Sequence, residues 1–227
     1  MRILAIDTST DYLSIAILKD GSIAGRFHKM SAMRHSSMLV PMIDRLLKKA
    51  ETKIDDIDCF VISAGPGSFT GLRIGVTTIK AMAYALKKPV VAIPTLDIIA
   101  ANIKNFTGII CPVLDARKGK VYSAIYKSDG KNTRRISKYL LLPAADLLKK
   151  VSRYDNIIFT GDAVDLGPSA APIRRGFRIK FASQIWHPRA EIAARMAIEH
   201  MKKKKFTTPE DLEPLYLYSK ECDITGK

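Results

Sequence analysis

The chain predicts an α/β layered protein made of two related halves. Three observations carry that expectation. Through the first half, strand-like apolar runs alternate with helix-period segments in the order β-β-β-α-β-α-β-α. Parallel strands joined by helical crossovers require a layered sheet. The pattern then restarts, because IDTSTDYLSIAILKDG (Ile6–Gly21) is echoed by LDARKGKVYSAIYKSDG (Leu114–Gly130). Finally, Cys59 to Ala64 is an unbroken apolar run rich in β-branched residues, as expected of a strand covered on both faces.

Taken in order, Ile3 to Asp7 reads as a strand ending in a carboxylate, and Tyr12 to Leu18 as a second strand. Asp20-Gly21 is a strong hairpin signal, and Ser22 to His28 continues as a third strand. A helix follows from about Ser36 to Ala50, with Leu39, Ile43, Leu46 and Leu47 on one face. Pro41 either begins this helix or kinks it. After the Cys59–Ala64 strand, Gly65-Pro66-Gly67 breaks the run, and Ser68 or Thr70 caps the next helix. That helix, Thr70 to Leu86, is apolar nearly all round, and such a helix is normally buried on several sides. It is either a central core helix or one with its outer side on a partner protein. Gly71 and Gly75, four apart on one face, let another backbone come close. Val90 to Ile93 is a buried strand, and Thr95 caps a further helix.

In the second half, Asp115 matches Asp7. After one inserted residue, Ser123 matches Ser14, and Asp129-Gly130 matches Asp20-Gly21. Alternation with Asp-Gly is common in any hairpin. Read instead as a duplication, it gives two copies of one β-β-β-led unit. Actin-like ATPases and sugar kinases are built that way, with nucleotide between the halves. Tyr139 to Leu142 reads as a strand, Ala144 to Val151 as a helix, and Ile157 to Thr160 as a strand running into Gly161-Asp162. Residues 165–180 read as irregular, punctuated by Gly167, Pro168, Pro172 and Gly176. Pro188 opens a last helix to about Met201, and Leu215 to Leu217 is expected to dock as a short strand. The halves divide as residues 1–105 and 106–227, with the last helix packing back on the first lobe.

Composition bounds the function. No apolar run approaches the ~20 residues that span a bilayer, and no signal-peptide pattern opens the chain. Three widely spaced cysteines, Cys59, Cys111 and Cys222, form no disulfide or zinc frame, so a reducing cytoplasm is expected. The net charge is +15, with +5 in residues 1–105 and +10 in 106–227. That balance suits a nucleic-acid or acidic partner, or a solvated basic surface. Arg174, Arg175, Arg178 and Lys180 form the cluster expected to touch a phosphate.

Several motifs fail. Gly65-x-Gly67 lacks the third glycine of the dinucleotide fingerprint, and no Gly-Lys-Ser/Thr makes a P-loop. Ser68 lies outside G-x-S-x-G. The four histidines form no metal-binding pair. Asp7-Thr8-Ser9 could hold hydrated Mg²⁺ and phosphates, or could close an Asx or Ser/Thr turn. Gly65 to Gly71, with Gly67 and Ser68, could form an anion nest at a helix N-terminus, or a packing turn.

AIDTST at residues 5–10, GPGSFTGLRIG at 65–75 and LDARKGKVY at 114–122 together resemble the TsaB (YeaZ) family. The likeness is firm over the N-terminal half. Beyond residue 130 it rests on Gly161-Asp162 and Pro214-Leu215-Tyr216-Leu217, and Tyr218 stands where the family often has Arg. The resemblance implies an actin-like (ribonuclease H-like) two-lobed fold and a noncatalytic dimerisation subunit. Its paralogue TsaD would carry the metal site and transfer threonylcarbamoyl to N6 of the adenosine beside the tRNA anticodon, and the ATPase TsaE would join the pair. TsaD has paired histidines on a helix; here His35 stands alone in HSSMLVPMIDRLL, which argues against the metallopeptidase label once given to the superfamily. The implied partner-binding set is His35, Met38, Met42 and Arg45 on one helix and Gly71, Ile74, Gly75, Thr78 and Tyr84 on the next. They would meet TsaD, or a second copy of the chain where TsaD is absent. No cofactor is expected to bind tightly, with ATP or ADP and Mg at the complex interface. The rivals are an actin-like ATPase or small-molecule kinase working through Asp7 and Asp115, and a direct tRNA-binding module.

Overall fold

A computed structural model describes residues 1–31, 34–163, 178–182 and 186–218. It divides into two compact units, one of Met1–Asn102 with His187–Pro214 and one of Ile103–Trp186 with Leu215–Lys227. The chain thus crosses between units after Asn102 rather than at 105, and residues 187–214 belong with the first unit.

In the first unit, β1 (Arg2–Asp7), β2 (Tyr12–Lys19), β3 (Ser22–Met30), β4 (Cys59–Gly65) and β5 (Val90–Pro94) form a sheet of order β3-β2-β1-β4-β5. The hairpin strands pair antiparallel, while β4 and β5 join β1 in parallel. Asp20 and Gly21 both take positive φ, as a tight hairpin turn demands. Side chains alternate between the two faces of a strand, and both faces here are apolar. Leu4, Ile6, Ile15, Phe60 and Ile62 meet α1 (His35–Lys49) and α2 (Phe69–Leu86). Ile3, Ala5, Cys59 and Val61 meet α3 (Thr95–Asn102) and α4, the helix Ala190–Lys202. The second helix presents Ala190, Ala193, Ala194 and Ala197, small side chains that let it lie close on the sheet.

Pro41 lies inside α1 and does not begin it. Ser68, not Thr70, caps α2: its Oγ accepts from the Gly71 N–H at 3.2 Å.

The second unit repeats the strand order. Here β6 (Thr107–Asp115) takes the place of β1, β7 (Lys120–Ser123) and β8 (Tyr126–Asp129) together take that of β2, and β9 (Thr133–Arg135) with β10 (Leu140–Pro143) that of β3. β11 (Asn156–Thr160) and β12 (Arg178–Ala182) then add in parallel. The helix Ala144–Val151 buries Leu147, Leu148 and Val151 against this sheet.

The register corrects the sequence alignment. Ser14 faces Asp7 across β1 and β2, but Ser123 faces Val113, and Val121 faces Asp115. The slip is of two residues, so it preserves which face each side chain takes. Residues 178–180, read as irregular, are strand. Leu215 to Leu217 enter no sheet. The adjacent Tyr218 instead donates its hydroxyl to the Ala116 carbonyl at 2.8 Å. Arg174, Arg175 and Cys222 lie outside the described residues.

Candidate functional site

The site is built from two layers of the first unit: a buried turn after β1, and the helical face above it. Asp7, Thr8 and Ser9 are completely or almost completely buried. The Asp7 carboxylate accepts from the Ser9 N–H at 3.1 Å and from the Ser9 hydroxyl. Burial pushes the Asp7 carboxyl up to about 7, with the nearby Ser63 hydroxyl and the hydrogen bonds from Ser9 only partly offsetting the loss of water.

The 65–75 motif closes over this turn. Ser68 N–H donates to the Ser9 carbonyl at 2.7 Å, and the Thr8 hydroxyl donates to the Gly71 carbonyl at 2.7 Å. A Cβ at Gly67 would overlap the Ser9 carbonyl oxygen, one at Gly71 the Thr8 carbonyl oxygen, and one at Gly75 the Thr8 hydroxyl. Backbone lies on Gly67 and Gly71, and the side chains of Thr8 and Ile62 lie on Gly75, so a side chain at any of the three is excluded. The structure therefore brings Asp7, Thr8, Ser9, Gly67 and Ser68 together, beside the β4 end at Gly65. It joins them by hydrogen bonds within the chain. Asp115 belongs to the second unit, where it is exposed and accepts from the Arg117 N–H at 2.8 Å.

Three residues expected at a partner surface are placed elsewhere. Gly71 and Gly75 are buried and face Thr8, so the close backbone approach is to the chain's own turn. His35 is also buried. Its Nε2–H donates to the Thr10 carbonyl at 2.8 Å, which leaves Nδ1 to accept from the Ser31 hydroxyl at 2.8 Å. Both ring nitrogens thus tie the start of α1 to the turn. Spacing alone could not separate this from a surface role.

The rest of the set lies higher on the helices. Met38, Met42, Ile74 and Thr78 are half-buried, with Met38, Met42 and Ile74 packed on the core beneath. Thr78 returns its hydroxyl to the Ile74 carbonyl at 2.8 Å. Arg45 is exposed, and Tyr84 is 69% exposed. Two further apolar residues are exposed on these helices: Val40, 51% exposed and on the opposite flank of α1 from Met38 and Met42, and Phe69, with the Arg73 guanidinium 3.9 Å above its ring. The outer surface of α2 is thus mixed rather than apolar throughout, with Arg73, Thr77, Ala81 and Tyr84 all exposed.

Known proteins can now be set beside this geometry. A family model described as TsaD, tRNA N6-adenosine threonylcarbamoyltransferase, matches residues 25–207. The tRNA threonylcarbamoyladenosine biosynthesis protein TsaB of Bacillus subtilis is 34% identical over 73% of this chain and 73% of its own length. TsaB of Escherichia coli is 30% identical, over 96% of this chain and 94% of its own. The chain belongs to the TsaB family. The tRNA N6-adenosine threonylcarbamoyltransferase of Brachyspira hyodysenteriae reaches 37% identity, but over only 45% of this chain and 34% of the transferase. The Escherichia coli TsaB therefore matches over nearly its whole length where that transferase matches in part.

A Pseudomonas aeruginosa crystal structure, described as similar to peptidase YeaZ, superposes with a TM-score of 0.83 at 25% identity, covering 96% of this chain and 99% of that one. A ROK hexokinase from Thermus thermophilus superposes at a TM-score of 0.51 and 11% identity, covering 89% of this chain and all of that one. It shares the actin-like fold alone.

Proposed function

We propose that the chain is a noncatalytic subunit that binds a TsaD-type transferase through α1 and α2 and makes it competent to modify tRNA. The observation that carries this is the outer face of those helices. Tyr84 and Arg45 stand exposed on the same two helices as half-buried Met38, Met42, Ile74 and Thr78, in a family whose members are named for threonylcarbamoyladenosine biosynthesis. Large apolar side chains grouped on a surface favour a protein partner, and methionine adapts to more than one.

The buried turn supports the same reading. A strand-end carboxylate that handled Mg²⁺ and phosphate would face solvent, whereas Asp7 is enclosed by Ser9, Ser63 and the α2 N-terminus. In this account the turn fixes the angle of α2, and the helix presents the partner surface. ATP or ADP with magnesium belongs to the assembled complex, and TsaE joins the pair there. Where TsaD is absent, a second copy of the chain takes its place on the same face.

The test is a reconstituted modification assay. The TsaD-type protein with this chain is expected to modify tRNA at a rate that it does not reach alone. Equal rates with and without the chain overturn the proposal. Tight ATP binding by the isolated chain, read by calorimetry, favours the kinase or ATPase reading instead.

A further inference from the structure

We propose that the β8–β9 hairpin and its continuation to Lys138, in the second unit, form a binding surface for the phosphodiester backbone of a structured RNA. The inference rests on the reading that the chain serves tRNA modification, and adds where the chain itself meets the nucleic acid. Lys127, Lys131, Arg134, Arg135 and Lys138 fall within residues 127–138, and all five are exposed. Asp129 is the carboxylate in that stretch, and it is engaged by its own turn. It accepts from the Lys131 N–H at 2.9 Å and the Asn132 N–H at 2.7 Å.

The arrangement carries an electrostatic cost. Lys127 stands directly opposite Arg134 across the two strands. Cross-strand neighbours hold their Cβ atoms about 5 Å apart, and like charges at such a pair are destabilising. Among the described residues no carboxylate pairs with Lys127, Lys131, Arg134 or Lys138. A ribbon that opposes two cations with nothing between them is stabilised by a polyanion.

Two further features favour RNA over other anions. The Arg135 guanidinium leaves the ribbon on the face opposite Lys127 and Arg134, where it lies 4.1 Å from the Tyr139 ring while donating to the Ser137 carbonyl at 2.8 Å, a flat platform of the kind on which unpaired bases stack beside the backbone contacts. A lipid surface would call for several apolar side chains to insert, and here Ile136 is the exposed large one in the stretch.

The test titrates a labelled transfer RNA with the full chain, alone and with its TsaD-type partner, between about 50 and 200 mM salt. Lys127→Glu combined with Arg134→Glu is expected to weaken binding at least tenfold at low salt. The slope of log Kd against log salt should flatten by roughly 1.5, two phosphate contacts at ~0.7–0.9 each. The neutral pair Lys127→Gln and Arg134→Gln relieves the like-charge contact, keeps the hairpin and should flatten the slope equally. Partner binding is followed on the same samples. RNA loss with partner binding intact supports the surface. An unchanged slope overturns it, as does an absence of salt-dependent RNA binding by the parent chain. Loss of the partner with the RNA slope intact also overturns it, in favour of an acidic protein. If the parent never binds the TsaD-type protein yet the RNA effect is present, the partner reading fails and the RNA surface stands.

Discussion

Asp7 ends β1 in the first unit and Asp115 ends β6 in the second, yet the Asp7 side chain is fully buried and that of Asp115 is 54% exposed. Both are strand-end aspartates, and both accept from a backbone N–H two residues on. What differs is the segment that follows the neighbouring parallel strand. After β4 the glycines of the 65–75 motif let α2 settle on the Asp7 turn. After β11, Gly161 lets the chain pass Val113, and Asp162 then accepts from the Asp115 N–H at 2.8 Å. The fold supplies a carboxylate at this point twice, and in the first unit the packing of α2 on the turn encloses it.

Substitutions at a closely packed glycine and at an open one give the largest expected contrast. Gly71→Val forces a side chain into the Thr8 carbonyl, and should cost more than about 4 kcal/mol of unfolding free energy in denaturant titrations. Gly119→Ala, in the β6–β7 turn, meets nothing within 4 Å and should cost only the left-handed backbone penalty, about 1 kcal/mol. Equal costs would remove the distinction between a sealed and an open turn.

The pH dependence sharpens the comparison next. Asp7 titrates near 7 in the folded chain against 3.8 in the unfolded one, so the folded state holds the proton more tightly. That contribution is fully present below pH 3.8 and is lost as pH rises to about 7, with a total on the order of 4 kcal/mol. Asp7→Asn should flatten this part of the stability–pH curve. An unchanged curve would mean that the carboxyl is solvated.

The second strand of each unit offers a smaller contrast. Tyr12 stacks on His187 at 3.6 Å, whereas Tyr122 meets Tyr218 edge-on at 6.1 Å. Burial, then the charges of His28 and Arg189, lower His187 to about 4. Its folded pKa lies below the unfolded value of 6.5, so stability is lost as pH falls from 6.5 toward 4. Solvent access limits the effect to about 1 kcal/mol. His187→Gln should remove it from acid-side thermal melts. Tyr218→Phe, which deletes the hydrogen bond to Ala116, should cost about 1 kcal/mol at any pH near neutral.

The strands were legible where burial on both faces left apolar runs, as in Cys59 to Ala64. α1 was legible from the spacing of Leu39, Ile43, Leu46 and Leu47. Strand β12 was not, because RIKFA follows a stretch dense in Gly and Pro and is short. The hairpin echo pointed to the repeated strand order, but not to the two-residue slip, which only the pairing reveals. In the candidate site, Met38, Met42, Ile74 and Tyr84 came from the family resemblance, and the structure leaves them half-buried or exposed. Gly71 and Gly75 misled, since glycines four apart accommodate any close neighbour, and here it is Thr8, by its backbone at Gly71 and its side chain at Gly75. Val40 carried no signal, because a single β-branched residue on the polar side of a helix is ordinary.

The partner face is tested most directly by size-exclusion chromatography with light scattering, on the chain mixed with its TsaD-type partner. The parent mixture is expected to elute as a complex. Arg45→Glu combined with Tyr84→Asp, both at exposed positions that the fold does not need, is expected to elute as separated proteins with an unchanged thermal midpoint. A complex of the same mass from the variant, at the same concentration, would contradict the assignment of that face.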